Sequence, residues 1–285
     1  MIVGGIAIYF LSQSPNIFRG SPQEKISTPA ISYTPPSVPT TLPQTEISSP
    51  STQIPDYLIP SGFTRNQLSL YFQKITISSA YTSFFGSYPS EIKLYSSLPK
   101  DEEINITGWR LKSNHGEIII PQAVDIYEPS GLAPEEDIVI SGNSSVSIYS
   151  SKSPINRNFR INKCIGHLEN TYNFNPTLPQ SCPSIPRSEI AYLSGQCQSY
   201  ILSLWGCKLP DVSFYNSLPG NDEGNACRAF LSTINWNSCF QKHYADLDFL
   251  SNEWRIWINQ NILDSQHDTV RLFDAQGLLV YEDRY

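Results

Sequence analysis

Six cysteines, at positions 164, 182, 197, 207, 227 and 239, all fall in one stretch of the second half of this 285-residue chain, and none precedes it. Such clustering predicts a local covalent framework. Zinc sites usually carry closely spaced C-x-x-C pairs, which are absent here, whereas an even count at long spacings suits disulfides made in an oxidising compartment. Six buried free thiols are the alternative, and they would be many for a cytosolic protein of this size. If two helices in the cysteine-bearing stretch form an antiparallel hairpin, Cys207 faces Cys227 near the bend and Cys197 faces Cys239 further out. Cys164 then closes onto Cys182.

The start of the chain is different in kind. Residues 1–11 are nearly all apolar, yet as a helix they would span only about 16 Å against a hydrocarbon core of about 30 Å. No basic residue precedes them, so the flanking charge of a signal peptide or anchor is missing. The expectation is the remnant of a transmembrane anchor or signal segment, with a frayed apolar terminus as the alternative. Residues 12–61 then carry proline after proline among Ser, Thr and Gln. Too few apolar side chains are present to offset ordering entropy, and proline favours extended polyproline II, so a disordered linker is expected. Its role is either spacing from a membrane or none beyond that of an ordinary tail.

From Ile75 onward the hydrophobic pattern alternates with period two, which puts every second side chain on one face of a strand. Strands are expected at 74–78, 91–95, 103–112, 117–120, 137–141 and 145–149, with Trp109 and Leu111 facing inward. Turn formers such as Gly116, Pro129, Gly131, Gly142 and Asn143 separate them. Plentiful Tyr and Phe and only 16% charged residues agree with a mainly β protein. Helical spacing appears at 188–205, opened by Pro186 with Ser188 as cap and closed at Gly206, and again at 225–234. A third helix is expected at 246–261, where Leu247, Leu250, Trp254, Trp257 and Ile258 share a face. Strands at 269–273 and 278–281 close the chain as a hairpin.

These residues resemble the lamin-tail domain, an immunoglobulin-like β-sandwich found in nuclear lamins and in many bacterial secreted or surface proteins. The carriers are the Ser90–Leu94 stretch, the Ile104-Asn105-Ile106-Thr107-Gly108-Trp109-Arg110-Leu111 strand, Ile118–Pro121, Ile138–Ile140 and the closing His267–Gly277 hairpin. They cover roughly residues 75–160 and 264–285. The resemblance implies a lamin-tail-like sandwich over 70–285 with a disulfide-braced, cysteine-rich helical insertion at about 164–262. It also implies a non-catalytic interaction module, often tethered, with no catalytic residues to carry over. Trp109 reads as a plug between sheets.

Catalytic signals are sparse. There is no G-x-S-x-G, H-E-x-x-H, phosphate loop or dinucleotide fingerprint, and no cofactor is expected. His267-Asp268 could hold a metal or move protons, but neighbours on a strand point apart, so capping is the favoured role. His115, His167 and His243 have no uniting spacing. Asp246, Asp248 and Glu253 are expected to favour a helix dipole, with calcium as the lesser alternative. The triplets at Asn105 and Asn143 match glycosylation sequons of little weight.

A net charge of -7 would repel a phosphate backbone, which argues against nucleic acid as a partner. Two functions stay open: a cell-envelope binding or scaffolding module outside the membrane, and a secreted hydrolase or enzyme accessory with a site assembled from distant residues. The first would bind an envelope or extracellular protein or glycan through exposed aromatics such as Trp205, Tyr215 and Trp236.

Overall fold

Alternating apolar residues do build the strands of the first half. The structure, a computed structural model, describes residues 54–82 and 88–285. It is mainly β, with several sheets, a few short helices and three disulfides. The strands are β1 (Ile75–Tyr81), β2 (Glu91–Ser96), β3 (Ile104–Asn105), β4 (Arg110–Lys112), β5 (Glu117–Ile119), β6 (Val139–Ile140), β7 (Ser145–Tyr149), β8 (Phe159–Asn162), β9 (Leu250–Trp257), β10 (Thr269–Phe273) and β11 (Leu279–Arg284). A five-stranded sheet runs β1-β2-β7-β9-β8, a four-stranded sheet runs β11-β10-β4-β5, and β3 pairs with β6 alone.

One buried cluster draws from all three sheets. Ile77, Leu94, Val146, Ile148 and Ile256 come from the first, Leu111, Val270, Leu272 and Val280 from the second, and Ile104 and Ile140 from the third. Trp109 joins them at 2% exposed, as its alternating position predicts. Removing such side chains from water contributes about 1.5–3 kcal/mol each, which explains why register is fixed: a slip of one residue would turn every one of them outward. The closing hairpin turns at Asp274, whose buried carboxylate accepts from the backbone N–H groups of Gln276 and Leu278, while Gly277 takes φ +80°.

Several expectations are corrected. The stretch expected as one strand at 103–112 is two, β3 and β4, broken at Gly108, which takes φ +81°. The expected third helix over 246–261 is strand β9. Trp254 and Ile256 face one side, Arg255 and Trp257 the other, and all four are buried. A strand covered on both faces shows no alternation, so its apolar spacing imitates a helix. β9 lies parallel to β7, pairing Ser145 with Glu253 and Tyr149 with Trp257. The helical insertion therefore ends at Phe249, short of the expected 262.

Packed structure also reaches into the stretch expected as linker. Ile54, Ile59 and Phe63 pack against Leu68, Phe72 and Leu279, and Asp56–Leu58 forms a 3-10 turn. Ser69 and Gln73 donate their backbone N–H groups to the carbonyls of Leu279 and Val280, so this segment covers the edge strand β11. Packed residues thus extend back at least to Ile54, ahead of the expected 70. The apolar stretch 1–11 and the remainder of the expected linker lie outside the described residues. Among the described residues, no helix is long and apolar enough to cross a membrane.

The insertion contains α1 (Arg187–Ile190), α2 (Gly195–Ser203), α3 (Val212–Ser217), α4 (Asp222–Leu231) and α5 (Trp236–His243). The expected 188–205 helix is split, because Ser194 adopts an extended backbone and starts α2 afresh at Gly195. α4 starts three residues before the expected 225, where Asn221 accepts from the N–H of Gly224 and caps it.

Disulfides form, but in none of the expected pairs. They join Cys164 to Cys239, Cys182 to Cys207 and Cys197 to Cys227. The hairpin register explains the difference. Ile201 of α2 and Leu231 of α4 share one buried cluster with Ile190 of α1, Leu193 and Leu218, and within it Cys197 and not Cys207 bonds to Cys227. Cys207, past the end of α2, then folds back onto the 182 loop, and Cys239 on α5 returns to Cys164 beside β8.

Candidate functional site

The insertion sits on the sheet through an aromatic cluster and three polar ties. Phe159, Phe174 and Trp257 pack at centroid distances of 5.2–6.0 Å. Arg255, nearly buried on β9, donates from Nη1 to the Thr177 carbonyl at 2.8 Å and from Nε to Glu253 at 2.9 Å. Lys163 bridges Asp246 at 3.0 Å and Asp248 at 2.5 Å. The Lys163 ammonium and the His243 ring hold Asp246 below the usual carboxylate range, with His243 the larger influence, and Lys163 does the same for Asp248. These acidic residues therefore clamp a lysine; they do not decorate a helix N-terminus as expected. Cys164–Cys239 is the covalent tie at the same place.

Between the helices lies a groove of about 710 Å³. Its apolar wall is Ile185, Ile201, Leu204, Phe230 and Ile234. Trp205, 61% exposed, stands at its lip with the Lys208 ammonium 4.8 Å from the ring centroid, a cation–π contact. On the rim, Lys242 of α5 contacts both carboxylate oxygens of Glu189 in α1 at 2.5–2.6 Å. His243 and Ser238 also line the groove, and His243 Nδ1 lies 2.8 Å from Asp246.

The floor follows directly from β8. The buried Asn162 side chain accepts from the Cys164 N–H at 3.0 Å and starts a 3-10 turn, Ile165–Asn170. His167 projects from that turn and is 7% exposed, with Nδ1 without a hydrogen-bond partner. Burial pushes the imidazole below its ordinary range, and a backbone contact at Cys207 partly opposes this. A ring nitrogen of His167 and the sulfurs of Cys182 and Cys239 all lie within 4.8 Å of one another. Two glycines allow this crowding. A Cβ on Gly166 would collide with the Pro179 carbonyl and the Cys207 sulfur, and one on Gly206, at φ +63°, with the Gln180 carbonyl.

Of the three aromatics expected to form one binding surface, only Trp205 lines the groove. Tyr215 is exposed on α3 away from it. Trp236 is half-buried, stacked 6.3 Å from Tyr127 and edge-on to Phe240, so it seats α5 on the sheet. Asp268 caps, as expected: its carboxylate accepts from the N–H groups of Asn114 and Thr269 through one oxygen and of Asp264 through the other. His115 pairs with Asp264 at 2.8 Å, far from the groove in the chain order.

Sequence reasoning gives His167 no site role and does not single out Glu189 or Lys242. The cysteines beside His167 are Cys182 and Cys239, distant in sequence, so no local spacing marks the cluster. Glu189 and Lys242 are far apart in sequence and carry no local signal. Comparison of the chain with protein-family models, with curated proteins and with solved structures gave no match.

Proposed function

We propose that the chain is a non-catalytic binding module of the cell envelope, built on a lamin-tail-type, immunoglobulin-like sandwich and facing the extracytoplasmic side. Three disulfides fit an oxidising compartment. Residues drawn from both larger sheets into one buried cluster support the sandwich reading. In this reading the N-terminal apolar and proline-rich residues attach and tether the domain to a membrane.

The observation that carries the binding role is the 710 Å³ groove with an apolar wall and a half-free tryptophan at its lip. Its size and lining suit an apolar side chain on an extended segment of an envelope protein, with Trp205 closing over it and the Glu189–Lys242 pair meeting polar backbone. A panel of extended apolar peptides and envelope glycan fragments, titrated against tryptophan fluorescence, tests this. Saturable binding to a peptide, weakened about 30-fold or more by Trp205→Ala at unchanged thermal stability, is expected. Binding to glycan alone, binding indifferent to Trp205, or no binding across the panel would overturn it.

One arrangement favours a second reading, a hydrolase. The Asp246 carboxylate orients the His243 ring, and Ser238 shares the groove wall. That is two-thirds of an acid–base relay with a hydroxyl lining the same groove. Hydrolysis of chromogenic esters abolished by both His243→Ala and Ser238→Ala would replace the binding reading.

A further inference from the structure

Cys182 and Cys239 belong to two different disulfides, yet their sulfurs meet beside the same buried histidine. The His167 ring is more than nine-tenths buried, its Nδ1 has no partner, and a ring nitrogen lies within 4.8 Å of both sulfurs. A buried polar nitrogen left alone is costly, so the unpartnered Nδ1 of this ring calls for an explanation. Disulfide sulfur is a poor metal ligand, whereas thiolate is a strong one. We propose that this cluster is a redox-gated site for a soft divalent cation, above all zinc: once the two bridges are reduced, His167, Cys182 and Cys239 bind the ion.

The geometry is close to what zinc requires. Bonds of about 2.0–2.3 Å in a tetrahedral site set ligand atoms roughly 3.5–3.8 Å apart, so closing from 4.8 Å is a movement of about 1 Å. Cutting the S–S bonds frees both sulfurs to make it. The three ligands come from three separate segments: the 3-10 turn after β8, the loop before α1, and α5. These are among the segments that the two bridges tie together, so the ion would brace the unit in their place. Three protein ligands leave one tetrahedral position for water or for a freed thiolate.

The reaction balances with a dithiol as reductant. Each bridge accepts two electrons and two protons, its S–S bond breaks to two protein thiols, and the dithiol closes to its own disulfide. Zinc then displaces the protons of Cys182 and Cys239 and takes the imidazole as a neutral ligand.

The test uses the full chain, reduced with dithiothreitol, desalted without oxygen and titrated with Co²⁺, then with Zn²⁺ as competitor. Expected is a single equivalent bound, with thiolate-to-cobalt charge transfer and the visible bands of tetrahedral cobalt. His167→Ala should weaken binding by about 10- to 100-fold or more, while Cys197→Ser/Cys227→Ser binds as the natural chain does. Circular dichroism of each oxidised variant establishes that it folds before reduction. Equal affinity in His167→Ala would show thiolates of a loosened chain holding the metal and would overturn the proposal, as would loss of binding in the Cys197/Cys227 variant or absence of the tetrahedral spectrum.

Discussion

Removing the Cys164–Cys239 bridge by Cys164→Ala/Cys239→Ala is the most informative perturbation of the fold. The bridge spans 75 residues, which in the chain-entropy account corresponds to about 4.5 kcal/mol. The other two bridges shorten that loop. With them intact, the shortest covalent route runs from Cys164 to Cys182, across to Cys207, back to Cys197, across to Cys227 and on to Cys239, about 40 residues. The contribution falls to about 4 kcal/mol. At a urea dependence of about 2–3 kcal/mol/M, the unfolding midpoint should drop by roughly 1.3–2 M. Equilibrium unfolding under non-reducing conditions, followed by tryptophan fluorescence and far-ultraviolet circular dichroism, measures it. A loss under about 1 kcal/mol would refute the reasoning, because it would mean that packing alone fixes α5 on the sheet. Recovery of a Cys164–Cys182 peptide from a non-reducing digest would refute the connectivity itself.

Three further outcomes follow from the same geometry. Trp109→Ala, which empties a site in the main core, should destabilise the domain by about 3–5 kcal/mol in the same urea assay. Gly166→Ala places a methyl group against the Cys207 sulfur and the Pro179 carbonyl, so non-reducing mass spectrometry after refolding should show chains with Cys182 and Cys207 unpaired. Asp246 and Asp248 are held below their ordinary value of 3.8 by partners present only in the folded chain, so their contribution is complete above that value and is lost as pH falls below it. Lys163→Met should accordingly lower the urea midpoint at neutral pH, and the gap from the natural chain should narrow on acidification; a gap independent of pH would exclude the clamp.

The sequence exposed the strands with one buried face and hid the rest. β2 and β10 alternate because one side meets the core, β7 alternates in sequence because its second face is filled by Ser147, and Trp109 with Leu111 was legible by the same period of two. β9 was not, since burial of Trp254, Arg255, Ile256 and Trp257 on both faces erases the period of two. β8 was missed: it is only four residues long and carries Arg160 and Asn162 among its apolar positions. The disulfides were legible as a class but not as pairs, because pairing depends on the register of α2 against α4, which Ser194 and Gly195 set by breaking the first helix. Within the groove, Trp205 was visible as an exposed aromatic. His167, Glu189 and Lys242 converge only through tertiary folding.

β7 and β9 are parallel neighbours, and a parallel pair cannot be joined by a tight turn. The intervening chain leaves the ladder after Asn162 and comes back at Leu250, and these two residues face each other as partners, with the Lys163 N–H donating to the Phe249 carbonyl at 2.9 Å. The helical unit is thus closed at its own base, like a cassette in a socket whose rim is a single pair of hydrogen-bonded residues. The sheet meets only that rim, the aromatic seat and a few polar ties. Since the entropy of closing a loop grows only with the logarithm of its length, by about 0.6 kcal/mol per doubling, the framework can accept cassettes of different size and surface at this position. In the proposed binding role, specificity would then reside in the exchangeable part, with the strands as a holder indifferent to what it displays.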